Sequence, residues 1–355
     1  MKVTEGERKM YVVQRLIVAF LLLFIVATLS WGSARGSFLE VFVRAVGLMV
    51  HGGPEVLEVL DLEEITAGPG QIRIRNFAAA VNPTDIVARD GTRAKLQSKF
   101  SPPYVPGMDV AGFVDQVGEG VTTGIKVGDR VMAMVVPKAS HGGYREQLVL
   151  NQHAVVPAPT DTTHVQASTL PMNALTARLS LDLLALSPGQ VLAVTGGPGA
   201  YGGYVIELAK ASGLKVIADA AASDRALLES LGADVVIARG EGFAERVRQH
   251  FPDGVDGLAD GALLNSKAIP AVKDGGSFTA IRGFRGEPQR NIQFTETWVT
   301  QYNERYDLLD KLRQQAEQGQ LTLRVADTVP PERASEAHRR LAAGGTRGRM
   351  VIDFA

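Results

Sequence analysis

The sequence predicts an α/β protein in two parts, an irregular β-barrel-like domain and a doubly wound parallel sheet. Three observations carry the prediction. Residues 44–165 are rich in short β-like runs bounded by turn residues. From about Ala167, helices alternate with apolar strands. Between the first of those strands and its helix lies a glycine-rich loop, Gly197–Gly202.

In the first part, Gln71–Arg75 alternates strictly between polar and apolar residues, as a strand with one buried face does. Val110–Val117 and Arg130–Val136 are further strands. The punctuation between them is Gly68-Pro69-Gly70, Asn82-Pro83, Pro102-Pro103 and Gly142-Gly143. In the second part, Gln166–Leu186 reads as a helix ended by Ser187-Pro188-Gly189. Val191–Val194 is a fully apolar strand, Val205–Ser212 a helix, Lys215–Ala218 a strand, Ser223–Leu231 a helix and Asp234–Ile237 a third strand. This spacing requires parallel strands joined by right-handed crossovers. Tyr306–Gln320 reads as a helix, and Arg349–Asp353 returns to strand character, placed to rejoin the first part. The expected division is 43–165, 166–305 and a C-terminal return over 306–355, with residues 1–42 set apart.

The loop Gly197-Pro198-Gly199-Ala200-Tyr201-Gly202 is GxGxxG in strand–loop–helix context. Gly197 is expected to make the tight turn, Gly199 to let backbone approach a pyrophosphate, and Gly202 to let helix and strand pack closely. The helix N-terminus adds unpaired N–H groups and partial positive charge around Ala200 and Tyr201. Asp219 stands about twenty residues after Gly199, the usual distance for a ribose ligand. Ser223 and Arg225 follow it and are candidates to hold a 2′-phosphate, so the residues alone leave the choice of dinucleotide open.

Composition removes several chemistries. The 355 residues carry 37 Lys+Arg against 38 Asp+Glu and no cysteine. The charge balance gives no overall attraction to nucleic acid. Without cysteine there are no disulfides, thiolate zinc sites, Cys-ligated iron–sulfur clusters or thiol nucleophiles. The six histidines form no HxH or HExxH pair, so the expectation is a protein with no metal site.

Several ordered strings resemble the medium-chain dehydrogenase/reductase superfamily, in its zinc-independent quinone oxidoreductase (zeta-crystallin-like) branch. They are Val81-Asn82-Pro83-Thr84-Asp85, Pro106–Gly112, Val127–Val131, Gly142-Gly143-Tyr144, Leu170–Ala177, the glycine loop, Leu231–Asp234 and Gly345–Arg349. The resemblance spans about residues 44–355. It implies a GroES-like catalytic domain completed by the C-terminal strand, a Rossmann domain inserted in it, and an active-site cleft between the two. It also implies NADPH as cofactor, with NADH as the alternative, and hydride transfer to a quinone or an α,β-unsaturated carbonyl. Asn82 stands where the branch lines the cleft, and Thr176 where it meets the nicotinamide end. Asp85, Tyr144 and Arg347 are weaker candidates for cleft contacts. Zinc-containing relatives carry Cys where Asn82 stands and His-Glu where Met108-Asp109 stands. Thr92–Phe100 replaces a stretch that bears a tyrosine near the substrate in some relatives. His141 suggests a proton donor but reads more simply as an exposed loop histidine.

Two other functions compete. A basic patch of Arg89, Arg93 and Lys95 would favour an enoyl (acyl thioester) reductase, and the missing tyrosine would suit a catalytically silent dinucleotide-binding scaffold or sensor. A homodimer through Rossmann edge strands is a further implication of the resemblance.

The N-terminus departs from the rest. Four basic residues, Lys2, Arg8, Lys9 and Arg15, precede the apolar run Leu16–Ala27, and Thr28–Ser37 is rich in small and polar residues. One reading is a start extended upstream of a true beginning at Val43. Another is a membrane anchor placing residues 16–31 in contact with lipid, and a third is a cleaved signal. The first is preferred, because a user of nicotinamide cofactor belongs in the cytoplasm.

Overall fold

A computed structural model of the chain describes residues 42–355. The N-terminal segment, with its anchor, signal and extended-start readings, lies outside the described residues. Among the described residues, no helix is long and apolar enough to cross a membrane.

β1 (Phe42–Gly47) and β2 (Glu58–Glu63) form an antiparallel pair. β3 (Gln71–Ala80) is the longest strand of the first part. It leads into two short helices, α1 (Pro83–Arg89) and α2 (Ala94–Gln97). β4 (Asp109–Val117), β5 (Arg130–Met134), β6 (Gln147–Asn151) and β7 (Val155–Pro157) follow. α3 (His164–Ala167) and α4 (Pro171–Leu184) then lead into the second sheet. Its strands are β8 (Val191–Thr195), β9 (Lys215–Ala220), β10 (Val235–Ala238), β11 (Val255–Asp260), β12 (Val272–Ile281) and β13 (Gln293–Thr297). Its helices are α5 (Ala200–Ala211), α6 (Arg225–Ser230) and α7 (Phe243–His250). The chain ends with α8 (Tyr306–Glu317), β14 (Val325–Val329), α9 (Ala334–Ala343) and β15 (Arg349–Asp353).

The second sheet is parallel throughout, in the order β10-β9-β8-β11-β12-β13. Strand order reverses between β8 and β11, which opens a crevice at the carboxyl ends of those strands. Successive residues of β8 face opposite ways. Leu192 and Val194 enter the core with Leu175, Leu181 and Ile206 of α4 and α5, while Ala193 joins Ile217, Val247 and Phe278 on the other face. With both faces covered by helices, a strand must be apolar on both sides. This is why Val191–Val194 shows no alternation.

The other sheet runs β14-β15-β3-β4-β5-β7, with β6 also on β3. β15 lies antiparallel to β3 through Val351–Ala80, Ile352–Ala79 and Asp353–Ala78, so the last strand does return to the first part.

The helix expected over Gln166–Leu186 is instead two helices. Ser168 and Thr169 donate their hydroxyls to the carbonyls of Val165 and Gln166, which end α3. Pro171 then opens α4 at its first position, where the missing N–H costs nothing. The helix expected from Val205 starts at Ala200, directly on the glycine loop.

Candidate active site

The site is built where β3, β4, α4 and β15 converge on the glycine loop. At the end of β3 the chain turns into α1 with Asn82 as N-cap and Pro83 at the first helical position. Asp85 Oδ2 accepts from the Asn82 backbone N–H at 2.8 Å, completing the turn. The Asn82 side chain points inward and is fully buried. It donates through Nδ2 to Ala80 O (3.2 Å) and Asp109 Oδ2 (2.9 Å). Its Oδ1 accepts from Arg349 Nη2 (2.7 Å) and Asn173 Nδ2 (3.4 Å). Both amide hydrogens are therefore spent inside the protein, and Asn82 organises the wall without presenting a donor to the cleft.

Asp109 holds this wall together. Its Oδ1 accepts from Met172 N at the start of α4 (2.6 Å), and Oδ2 faces Asn82 and Arg349. α4 then carries Met172, Asn173 and Thr176 along one face into a cavity of about 280 Å³. Thr176 Oγ1 donates to Met172 O at 2.5 Å, so its oxygen faces the cavity as an acceptor. Asn173 has one amide hydrogen on Asn82. Its second has no acceptor among the described residues.

The glycine loop forms the opposite wall. Gly196, not Gly197, takes the left-handed turn, with φ of +70°. Its N–H donates to Asp219 Oδ1 at 2.7 Å. Gly197 needs to be glycine for a different reason, because a Cβ there would lie 2.9 Å from Leu228 Cδ2. At Gly202 a Cβ would run into the Gly196 carbonyl, so loop and helix can approach only without side chains. Gly199, Ala200 and Tyr201 face the cavity. Tyr201 is buried beneath the loop, its hydroxyl 2.7 Å from Ser180 Oγ, and burial pushes the phenol well above its ordinary pKa. Arg324 donates to the carbonyls of Pro198 (2.9 Å) and Gly199 (2.7 Å), bracing the loop from behind.

A second cavity, of about 510 Å³, continues past Gly196, Gly199, Gly261, Leu341 and Thr346, which border both. At its far end are Asp219, Arg239 and Arg347. Burial raises the Asp219 carboxyl, against the pull of the Gly196 and Gly197 N–H groups. Arg347 forks onto Asp224 with two 2.6 Å bonds, and this pair holds Asp224 below its ordinary range. Ser223 is exposed and borders neither cavity. Nor does Arg225, whose guanidinium is turned to Val236 O (2.8 Å) and Glu229 (3.5 Å).

Residues grouped by sequence alone also separate. Arg89 is buried and lies 3.5 Å from His338 Nδ1, Lys95 is exposed, and Arg93 borders the cavity, so they make no common patch. His141 is not a free loop histidine. Its Nε2 is 2.8 Å from Val149 O, and burial lowers its pKa. Asp85 and Tyr144 share a 2.8 Å bond deep in the catalytic part. Burial raises Asp85 to about 6 and drives the Tyr144 phenol up.

Sequence reasoning passed over Asn173, Arg239 and Arg349. Asn173 was within reach, since it precedes Thr176 by three positions on one helix and must share its face. Arg239 follows the third strand of the parallel sheet, at the carboxyl edge where ligands bind. Nothing local distinguishes Arg349.

The residues present fit a dinucleotide. A backbone cradle built on Gly196, Gly197 and Gly199 leads into the twelve-residue helix α5, and a continuous trough runs from Thr176 to Arg239. They do not fit a zinc ion, since Asn82 is amide-bonded on both sides and Asp109 is paired with Arg349. Among the described residues, no cluster of three or more His, Cys, Asp or Glu is spaced to hold a metal.

Residues 68–160 match the family described as alcohol dehydrogenase GroES-like domain, and residues 231–352 that described as zinc-binding dehydrogenase. The chain is 32% identical to a 2-methylene-furan-3-one reductase of Solanum lycopersicum, over 83% of this chain and 76% of that protein. It is 32% identical to an NADPH-dependent alkenal/one oxidoreductase, chloroplastic, of Arabidopsis thaliana, over 85% and 77%. To a quinone oxidoreductase of Homo sapiens it is 27% identical, over 88% and 98%. A solved structure titled as an NAD-dependent alcohol dehydrogenase superposes with a TM-score of 0.79 at 29% identity, covering 88% of this chain and all of that one. The chain is thus an oxidoreductase that uses a nicotinamide cofactor on a small-molecule substrate, and it belongs to the medium-chain dehydrogenase/reductase superfamily, in the quinone oxidoreductase branch.

Proposed function

We propose that the protein reduces quinones or the conjugated double bond of α,β-unsaturated carbonyl compounds, with NADPH as hydride donor. The observation that carries this reading is the make-up of the 280 Å³ cavity. Its walls are largely apolar, from Val81, Met108, Met172, Ile281 and Val299, with Arg93 and Arg282 also on its lining, and among the described residues its free donor on the α4 face is the neutral amide of Asn173. A bound nicotinamide supplies a hydride. Asn173 Nδ2 donates to the carbonyl oxygen of the acceptor, where charge develops. An acceptor that spreads this charge by conjugation needs only such modest stabilisation. Met108, buried, and Trp298, 40% exposed, line the cavity beside the acceptor, and solvent at the Trp298 side would supply the proton that completes the reduction.

NADPH is favoured over NADH by the far end of the trough. Arg239 is exposed there without an ion pair among the described residues, whereas Asp219 is turned into the loop. The Arabidopsis relative, named as NADPH-dependent, supports the same choice.

The test is oxidation of NADPH and NADH by the purified full-length protein with a panel of quinones and enones. Turnover of conjugated acceptors, with NADPH preferred, is expected. Tight NADPH binding without oxidation by any acceptor would overturn the reading.

A further inference from the structure

A third cavity, of about 170 Å³, adjoins the 280 Å³ one, and Thr84, Arg93 and Met108 border both. No residue of the glycine loop borders it. Its walls are apolar, with Leu96, Phe100 and Val105, but its polar groups are unusual. Arg93 stands at the junction of the two cavities with no ion pair or hydrogen bond from its guanidinium among the described residues. Lys138, an exposed residue, also borders this cavity, its Nζ 5.2 Å from the centre of the Phe100 ring, and has no carboxylate partner among the described residues. Gln97 brings a carboxamide whose buried oxygen has no hydrogen-bond donor. A half-turn of that amide offers its NH₂ instead.

Among the described residues Asp85 is the one carboxylate on this cavity, and it does not neutralise the two cations. Its oxygens already accept from Gly107 N (3.1 Å), Asn82 N (2.8 Å) and Tyr144 Oη (2.8 Å). Two unpaired cations and an unsatisfied amide around an otherwise apolar chamber match a ligand with an apolar stem and an anionic oxygen group at its end.

We infer that this chamber receives the remote end of the acceptor and selects conjugated carbonyl compounds that carry a carboxylate there. Arg93 and Lys138 would bind the carboxylate, and Leu96, Phe100 and Val105 would cover the chain that joins it to the reacting double bond. The inference rests on the reductase reading above and narrows its substrate class.

The experiment compares a medium-chain enone bearing an ω-carboxylate with its methyl ester, using the full-length protein and NADPH. The acid is expected to exceed the ester in kcat/KM by about tenfold or more, the scale of a charge-assisted hydrogen bond. Arg93→Gln and Lys138→Gln each lower the acid-to-ester ratio, and the double variant brings it near one. Lys95→Gln, which removes an exposed charge of α2 outside the chamber, keeps the wild-type ratio. A ratio near one in the wild type, or one that survives the double variant, overturns the inference. If neither compound oxidises NADPH, the reductase reading fails by itself. The chamber is then decided by calorimetric titration with the corresponding saturated keto acid and keto ester. Preference for the acid that is lost in Arg93→Gln upholds it, and equal binding sinks it.

Discussion

Arg349 Nη2 donates to Asp109 Oδ2 at 2.9 Å, with the arginine side chain 4% exposed and the aspartate fully buried. The same guanidinium nitrogen reaches Asn82 Oδ1, and the other carboxylate oxygen holds Met172 N at the start of α4. One ion pair thus ties the last strand, the wall of the cleft and the helix that carries Asn173 and Thr176.

Removing one partner leaves the other charged and buried. Arg349→Met and Asp109→Asn are each expected to lower stability by about 3–5 kcal/mol, since an Asn that keeps its oxygen on Met172 N turns its NH₂ against the donors of Asn82 and Arg349. Urea denaturation of both single variants and the double variant measures the coupling. Additive effects would mean that the pair does not act as a unit.

Gly199→Val is expected to abolish NADPH binding while the protein stays folded. A Cβ at Gly199 meets only the Gly196 oxygen, at 3.2 Å, so the extra methyl groups project into the cradle more than into the core. Fluorescence titration with NADPH and a circular dichroism spectrum check both halves. Retained affinity in a folded variant would remove this loop as the pyrophosphate site.

Arg239→Gln should cut the preference for NADPH over NADH by about tenfold or more, the range of a hydrogen bond to a charged group. Arg225→Gln, whose side chain is engaged with Val236 and Glu229, should change it little. Steady-state kcat/KM for the two dinucleotides distinguishes them. The opposite ranking would restore Arg225 as the phosphate ligand.

Acid and base stability report on the buried Asp85–Tyr144–His338 chain. Arg89 can only donate to His338 Nδ1, so the ring proton is on Nε2 and faces Tyr144 Oη at 3.1 Å. Burial raises Asp85 from 3.8 to about 6, a penalty of roughly 3 kcal/mol on its charged form. The native state then binds more protons than the unfolded one between these values. The Asp85 contribution is present below pH 3.8 and is lost as pH rises through 6. Burial lowers His338 from 6.5 to about 3, so its contribution has the opposite sign and is lost as pH falls through that window. The two oppose each other in the wild type. Asp85→Asn should therefore gain stability relative to the wild type as pH rises from 4 to 6, and His338→Gln should gain as pH falls from 6 to 4. Melting temperatures across that range measure both differences, and a difference independent of pH for either variant would refute its assignment.

The sequence by itself determined what depends on neighbours in the chain. An apolar strand buried on both faces, the spacing of βαβ units and the loop Gly197–Gly202 were legible because each states a local requirement of backbone geometry or burial. The return of Arg349–Asp353 to the first part was legible for the same reason, as strand character after the last helix. Tertiary structure alone decided which polar groups face the cleft. Asn82 spends its amide on Asp109 and Ala80, Asp219 turns to Gly196, and Arg239 takes the edge of the trough that Ser223 and Arg225 leave vacant. Each outcome depends on partners brought together from distant segments. Arg349 and Asp109 are 240 positions apart, and no propensity or periodicity links them. Buried polar groups must find partners or lose free energy, and only the folded packing specifies which partners are within reach.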